Sequence, residues 1–144
     1  MLKTSTGLRT AMLDTASART ALNLGKINIY SGAVPATADA AVTGTLLCTI
    51  TNNSTATGIT LDTAVAGSIP KTASEVWSGV NVATATASHY RHVGASDTGA
   101  LSTTEPRVQG LIATSGAELN LTSVALSSGA TQTIDFYSIT LPTL

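Results

Sequence analysis

The pattern of apolar positions changes near residue 25. Before that point, apolar side chains recur close to helical spacing at Leu8, Met12, Ala16 and Leu22. Ser5 or Thr6 is available as an N-cap, and Gly25 as a helix stop. A helix this short and this rich in Thr is marginal in isolation. We therefore predict a helical segment in residues 1–25 that is either an arm docked on a partner or a cover over one end of its own β-domain.

From Lys26 onward the apolar positions alternate with polar ones, which is the period of a β-strand. The alternating sets are Ile27 and Ile29; Leu46, Cys48 and Ile50; Ile59 and Leu61; and Val108, Gly110 and Ile112. The alternation shifts by one position after Leu121 and again after Phe136, which predicts bulges or strands that change sheet at a corner. Together with recurrent turn residues, the pattern predicts an all-β fold, a jelly-roll-like β-sandwich of about eight strands over residues 26–144.

The composition favours permanent packing against neighbours. Thr, Ala and Ser account for 63 of the 144 residues, and the formal net charge is −1. Charged residues make up 10% of the chain, against about 25% in a typical domain. Short neutral side chains lose little entropy when they are covered, and a surface without charge does not repel its neighbours. We therefore expect a structural protein that forms at least a homodimer.

The same composition argues against several other classes of partner. No basic stripe is present, so nucleic acid is not an expected partner. No apolar run is long enough to span a bilayer, and the residues after Met1 do not resemble a signal peptide, so neither a membrane partner nor secretion is expected. The lone Cys48 cannot form an intramolecular disulfide, and no phosphate- or dinucleotide-binding motif predicts a cofactor.

The triplet Asp97-Thr98-Gly99 is the motif that most directly suggests catalysis. In dimeric aspartic proteases each subunit supplies one Asp from such a triplet, and the two carboxylates share a proton. The triplet should follow a buried apolar strand, whereas Ala95-Ser96 precede it here. Asp-x-Gly is also a common turn. A turn is the preferred interpretation, an Asp97 protease is the remote alternative, and no catalytic residue is assigned.

His89 and His92 are the two histidines of the chain. On one strand a spacing of three residues sends them to opposite faces, so one metal ion could not bind both without a bulge. Adding Cys48 gives three scattered ligands, a weak pattern, and no metal site is predicted. The two histidines, with Tyr90 and Arg91 between them, are interpreted instead as candidates for an interface.

Two aromatic residues receive opposite interpretations. Trp77 precedes Ser78-Gly79 in a loop-like context, which favours an exposed interface anchor. Phe136 alternates with Ile134, which favours a core position. The complete set of interface candidates is Leu8, Met12, Leu13, Trp77, His89, Tyr90, Arg91 and His92.

Several blocks of sequence carry a family resemblance. They are residues 26–32 (KINIYSG), 35–41 (PATADAA), 44–47 (GTLL), the pair Tyr90-Arg91, and residues 115–121 (SGAELNL), 128–130 (SGA) and 139–142 (ITLP), together with residues 8–13. These blocks are spread along most of the chain and resemble small tailed-bacteriophage virion proteins, similar to the head-decoration, or cementing, proteins outside the major capsid shell. Larger apolar residues are usual in that family at His89 and His92, which leaves open whether their strand is buried or part of an interface.

The resemblance implies a jelly-roll-like fold, dimers that bridge neighbouring capsomers, and no catalysis. We therefore expect a capsid decoration protein on the outer surface of the phage head, made in the host cytoplasm. Its partners would be the major capsid protein and a second copy of itself, and its role would be to stabilise the head against packaged DNA. A tail- or fibre-associated β-protein is the alternative, which would be present in far fewer copies per virion.

Overall fold

The computed structural model describes residues 1–141, so that Pro142, the last residue of the block at 139–142, lies outside the described residues. The described chain forms two helices, α1 (Thr6–Asp14) and α2 (Ala18–Leu22). Its strands are β1 (Lys3–Thr4), β2 (Lys26–Tyr30), β3 (Leu46–Asn52), β4 (Ser68–Pro70), β5 (Trp77–Val80), β6 (Ala85–Thr86), β7 (His89–Val93), β8 (Arg107–Ala113), β9 (Leu119–Asn120), β10 (Ala125–Leu126), β11 (Thr131–Ile134) and β12 (Ser138–Thr140).

One eight-stranded sheet organises the molecule. Its order is β1-β8-β7-β2-β3-β5-β11, with β9 also paired to β8. The β8–β9 pair is parallel and the other pairs of the sheet are antiparallel. Strand β10 pairs with β6, and β12 with β4, as two small antiparallel sheets. The chain is therefore mostly β with two short helices, which confirms the predicted all-β, sandwich-like class.

The central strands of the large sheet have two faces of opposite chemistry. Ile27 lies opposite His92, and Ile29 opposite Tyr90, on the face that packs into the hydrophobic core. On the other face Asn28 lies opposite Arg91, which in turn lies opposite a glutamine of β8. Because both faces are covered, all five residues of β7 are buried. The sheet thus separates an apolar core from a second, polar interior.

Both predicted phase shifts coincide with a change of sheet. Leu121 follows β9, which pairs with β8 in the large sheet, whereas Leu126 lies in β10, which pairs with β6. Ile134 ends β11 in the large sheet, whereas Ile139 lies in β12, which pairs with β4. The alternation restarts because each new strand faces the core from a different sheet. Of the two predicted causes, the change of sheet is therefore confirmed.

The interpretations of Trp77 and Phe136 are both wrong. The predicted surface residue is buried, and the predicted core residue is exposed. Trp77 is 1% exposed because it begins strand β5 on the core side, so it cannot serve as a surface anchor. Phe136 is 78% exposed because β11 ends at Ile134, and the chain turns before the next strand. Tyr137, one residue later, enters the core in its place.

The N-terminal residues form two helices rather than one. Ser5 caps α1, its Oγ accepting a hydrogen bond from the backbone N–H of Leu8 at 3.0 Å. The chain leaves this helix at Thr15, and Ser17 caps α2 by accepting from the N–H of Thr20 at 3.1 Å. A Ser side chain offers the backbone an alternative to the helical bond, so the second Ser starts a new helix.

Both helices dock on the β-domain of their own chain. Leu8 and Leu22 are 1% and 0% exposed and share the hydrophobic core with the strands, and Met12 packs against that core. Leu13 is 90% exposed. This is the arrangement of a cover rather than an arm. Of the three N-terminal interface candidates, Leu8 is therefore corrected to a core residue, Met12 is half-buried against the core, and Leu13 remains on the surface.

The contribution of this cover to stability can be measured. We predict that Leu8→Ala and Leu22→Ala each lower the free energy of unfolding by about 2–5 kcal/mol, because each leaves a cavity in the core. Leu13→Ala, a matched control in the same segment, should change it by less than about 0.5 kcal/mol. Chemical denaturation of the three variants provides the test. Equal, small effects at all three positions would restore the arm interpretation.

Candidate functional site

Strand β7 carries four of the predicted interface residues, and the structure buries all of them. His89, Arg91 and His92 are each 0% exposed, as is Tyr90. The two histidines lie on opposite faces, as their spacing predicts: His92 faces the apolar core and His89 the polar interior. The interface interpretation of this strand is corrected, because β2 and β8 flank it and both of its faces are covered.

On the core side, the imidazole of His92 contacts helix α2 and two aromatic side chains. Its Nε2 lies 3.1 Å from the carbonyl oxygen of Leu22 in α2, and its Nδ1 lies 3.4 Å from the hydroxyl oxygen of Tyr137. The rings of Trp77 and Tyr137 pack on the imidazole, with centroid distances of 6.4 and 5.7 Å. Burial lowers the pKa of His92 to about 4, so the ring is neutral at pH 7.

The polar interior lies between the sheet and two long loops, residues 31–45 and 94–106; we call it the polar layer. At its centre Arg107 of β8 binds Asp97, with Nε 2.5 Å from Oδ2 and Nη2 2.9 Å from Oδ1. Both side chains are essentially inaccessible to solvent. Arg107 also donates to the carbonyls of Ala100, at 2.7 Å, and Ala38, at 3.3 Å. One guanidinium therefore fastens both loops to the sheet.

A second buried arginine extends the polar layer. Arg91 Nε donates to Oε1 of Gln109 at 2.8 Å, and its Nη2 donates to the carbonyl of Thr37 at 3.2 Å. The amide nitrogen of Gln109 donates in turn to the carbonyl of Pro35 at 2.8 Å. Burial and the charge of Arg107 lower the pKa of Arg91 from its ordinary value. Arg91 is thus a structural clamp on the first loop.

The two loops are also bonded to each other and to α1. Val42 donates its N–H to the carbonyl of Gly99 at 3.1 Å, and Ser102 donates to the carbonyl of Asp39 at 2.9 Å. The Asp39 carboxylate accepts from the N–H and the hydroxyl of Thr6, the first residue of α1, at 2.8 and 2.7 Å. These bonds lower the pKa of Asp39 from its ordinary value and stabilise the positive end of the helix.

Asp97 has a structural role on the backbone as well. Its Oδ1 accepts a hydrogen bond from the N–H of Gly99 at 2.7 Å, which is the Asx turn that the sequence predicts. Gly99 has a φ of +80°, the left-handed conformation that glycine adopts without strain. The residue is 5% exposed overall, and its side chain is inaccessible to solvent and bound by Arg107. The carboxylate is therefore not presented to a substrate.

A shallow cleft of about 490 Å³ opens beside the polar layer, lined by residues that include Lys26, Asn28, Tyr30, Thr49 and Asp97. Its two charged side chains, Lys26 and Asp97, and two of its neutral ones are already bonded within the protein. Lys26 Nζ donates to the carbonyl of Ala95 at 2.9 Å, and the Thr49 hydroxyl donates to Asn28 Oδ1 at 2.9 Å. The carboxylate of this lining, Asp97, is thus already bound by Arg107 and is not available as a general base.

His89 completes the polar face of β7. Its ring stacks on Tyr30, with centroids 5.3 Å apart and planes 20° apart. Its Nδ1 lies 2.9 Å from the Ser88 hydroxyl. Burial, with a smaller effect of the Arg91 charge, lowers the pKa of His89 to about 4. A neutral imidazole packed in this way is an element of the interior rather than a contact surface.

The remaining reactive groups are dispersed. Within residues 1–141, no group of three His, Cys, Asp or Glu side chains lies close enough to hold a metal ion. Cys48 is buried, and desolvation raises the pKa of its thiol to about 11. Neither described helix is long and apolar enough to cross a membrane.

The outer surface has an unusual balance of side chains. Of the fifteen charged residues, five are exposed: Arg9, Asp14, Arg19, Asp62 and Asp135. Thirteen large apolar side chains of the described chain are exposed, among them Leu13 at 90%, Phe136 at 78%, Leu101 at 74% and Val65 at 68%. Surfaces designed to keep a domain soluble and monomeric are given about 25–35% charged residues. The described surface is therefore suited to contact with other proteins.

Sequence reasoning missed Arg107 and Gln109, which hold the polar layer together. The signal that could have found them is their alternation with Val108 and Gly110 along a strand whose apolar face is evident. Alternation identifies a second face, but not that a loop more than sixty residues away covers it. Comparison of the chain with protein-family models, curated proteins and solved structures gave no match.

The ion pair in the polar layer predicts a specific mutational pattern. We expect Asp97→Ala to lower the free energy of unfolding by about 3–5 kcal/mol, because it leaves the Arg107 charge buried without a partner. The double variant Asp97→Ala/Arg107→Met should regain part of that loss, since it removes both charges. Asp14→Ala, at an exposed carboxylate, is the control. Strictly additive single and double variants in denaturant unfolding would contradict the pairing.

The buried histidines predict a loss of stability in mild acid. Folded His92, with a pKa of about 4, stays neutral while the unfolded chain binds a proton below about pH 6.5. Stability is therefore complete above pH 6.5 and falls as the pH decreases towards 4, by about 2 kcal/mol for His92 between pH 7 and pH 5. Denaturation curves at these two pH values, with His92→Gln as the variant that does not titrate, measure the effect. The same pH dependence in both proteins would contradict this prediction.

Proposed function

We propose that the protein is a structural component of a tailed-bacteriophage virion that decorates the outside of the head. In this proposal it binds the major capsid protein as a homodimer, bridges neighbouring capsomers and resists their separation by the packaged DNA. The sequence blocks at residues 26–32 and 35–41 support the family, since they resemble head-decoration proteins. The composition of the exposed surface supports the mode of action.

The observation that carries the proposal is the excess of exposed apolar over exposed charged side chains. In the described chain, residues 1–141, thirteen large apolar side chains are exposed, whereas five charged side chains are. A surface with more large apolar than charged side chains lacks the charge repulsion that keeps proteins apart in solution. Interfaces of permanent assemblies are also more apolar than transient ones. A surface that other subunits cover is thus a better match to this chain than the surface of an independent enzyme.

The polar layer supports the same function in a second way. The groups that could perform acid–base chemistry, Asp97, His89 and His92, are buried and bonded inside the protein. The bonds of Arg107 to Asp97 and to the loop carbonyls hold two long loops on the sheet, so that the loops become part of a rigid body. A protein that bridges capsomers must transmit tension without deforming. A rigid body with a neutral contact surface meets that requirement.

Few exposed charges also imply how the shell is held. Attachment would depend on apolar and main-chain contacts over a large area rather than on ion pairs. Such contacts are insensitive to salt, because screening acts on charges alone. The attachment of this protein to its shell should therefore persist at high ionic strength.

Binding to isolated heads tests the proposal. Heads of the encoding phage that lack this protein should bind it in many copies on their outer surface, visible as added density by electron microscopy. Binding should persist in about 1 M NaCl, where the Debye length is about 3 Å. Phe136→Ser and Leu13→Ser, which remove exposed apolar contacts without entering the core, should weaken it, whereas Asp62→Ser should not.

The outcomes separate the alternatives. Absence from heads, with a few copies on purified tails, would contradict the proposal and favour a tail-associated protein. Release from heads by moderate salt would contradict the apolar mode of attachment. Peptidase activity that is lost in Asp97→Ala while the protein remains folded would contradict the assignment of Asp97 to a structural role.

A further inference from the structure

Within residues 1–141, the large sheet ends at a strand that is paired on one side only. Strand β11 (Thr131–Ile134) is the last in the sheet order and pairs with β5 along one side. Its residues are TQTI, with no charge and no proline, and Asp135 follows it. Proteins usually protect a free edge with Lys, Pro or a bulge, because its main-chain groups can pair with another strand. An edge of neutral residues is therefore available for pairing.

The hydrogen-bond register identifies which groups are free. Asn81 donates its N–H to the carbonyl of Ala130 at 2.9 Å, so residue 130 and the alternate residues Gln132 and Ile134 point towards β5. Thr131 and Thr133 then direct their N–H and carbonyl groups outward. Both side chains are exposed. The carbonyl of Thr133 accepts a hydrogen bond from the amide of Gln132, its own neighbour, at 2.9 Å.

This edge is complementary to itself. The sequence Thr131-Gln132-Thr133 reads the same in both directions. When two copies meet antiparallel about a two-fold axis at Gln132, each Thr131 lies opposite the Thr133 of the other copy and exchanges both hydrogen bonds with it. The matched Thr–Thr pairs stabilise such a junction further. The two Gln132 side chains lie together at the axis.

The surroundings of the edge fit a second copy. Val80, which is 50% exposed, lies opposite Thr131 on β5, so the junction would align Val80, Thr131, the second copy's Thr133 and its Ser78 in one row across the sheet. Asp135 would lie opposite Gly129 of the other copy. The two Asp135 carboxylates would be about 20 Å apart along the strands, beyond the Debye length of about 8 Å at physiological salt.

We propose that the β11 edge is the dimerisation surface, where a second copy of this chain continues the eight-stranded sheet antiparallel across a two-fold axis at Gln132. The proposal deepens the proposed function, from which the homodimer is taken, by giving its interface. The Gln132 amide occupies the Thr133 carbonyl in the monomer and is displaced when the edges pair. The exposed apolar residues away from this edge, Leu13 and Leu101 among them, then remain for the shell.

Sedimentation of variants at Thr133 tests the edge. At about 50 µM, well above a Kd of about 1 µM, the native protein should sediment with twice the 14.5 kDa mass of the chain. Thr133→Pro removes an N–H that β5 does not use, so it should give a folded monomer. Thr133→Ala keeps that N–H and should remain a dimer. A monomeric native protein, or a Thr133→Pro variant that is folded and dimeric, would overturn the proposal.

Cross-linking provides a second test that does not depend on how Thr133→Pro folds. Paired residues at the axis have Cα atoms about 4.5 Å apart, which a disulfide can bridge. Gln132→Cys should therefore oxidise to a covalent dimer at least tenfold faster than Ser115→Cys, an exposed control; Cys48 is buried and does not compete. Equal rates would overturn the edge assignment. Neither the sedimentation nor the cross-linking experiment involves phage heads. Their outcome therefore does not depend on whether the capsid proposal is correct.

Discussion

The ion pair between Arg107 and Asp97 is the interaction on which the polar layer depends. Burying two charges is costly unless they meet in good geometry and their remaining groups are bonded. Here the guanidinium binds both carboxylate oxygens and also reaches the carbonyls of Ala38 and Ala100. Satisfying the pair therefore requires both loops, residues 31–45 and 94–106, to lie in place. The loops in turn position Asp39 at the start of α1.

This constraint links the interior to the surface. The chain has fifteen charged residues, of which three, Arg91, Arg107 and Asp97, are buried and seven more are half-buried. Five are therefore exposed, and the exposed large apolar side chains outnumber them. A chain with so few charged residues thereby gains a rigid scaffold and a neutral outer surface together. Both properties suit the proposed role as a subunit that neighbours cover permanently. The open edge at β11 adds one place where a neighbour can bind by main-chain hydrogen bonds alone.

Local patterns predicted what depends on local chemistry. The alternation at Ile27 and Ile29, the cap at Ser5 and the turn at Asp97 follow from spacing and side-chain type, and the structure has all three. The phase shift after Phe136 correctly predicts a break in the strand. It does not predict that the strand ends before Phe136 rather than after it. Exposure of the Phe136 ring depends on where β11 stops, and burial of the polar face of β7 depends on a loop more than fifty residues away. Neither is encoded in a short window of sequence.

Native-state hydrogen exchange, measured residue by residue on the intact protein, tests most directly whether the polar layer makes the loops part of the rigid body. The informative amides are those of Val42, Gly99 and Ser102, which bond between the loops or to Asp97. If the account is correct, they exchange with opening free energies close to those of the β2 and β7 amides, because the loops open only when the core does. Opening free energies near zero at these amides, with a protected sheet beneath them, would contradict it.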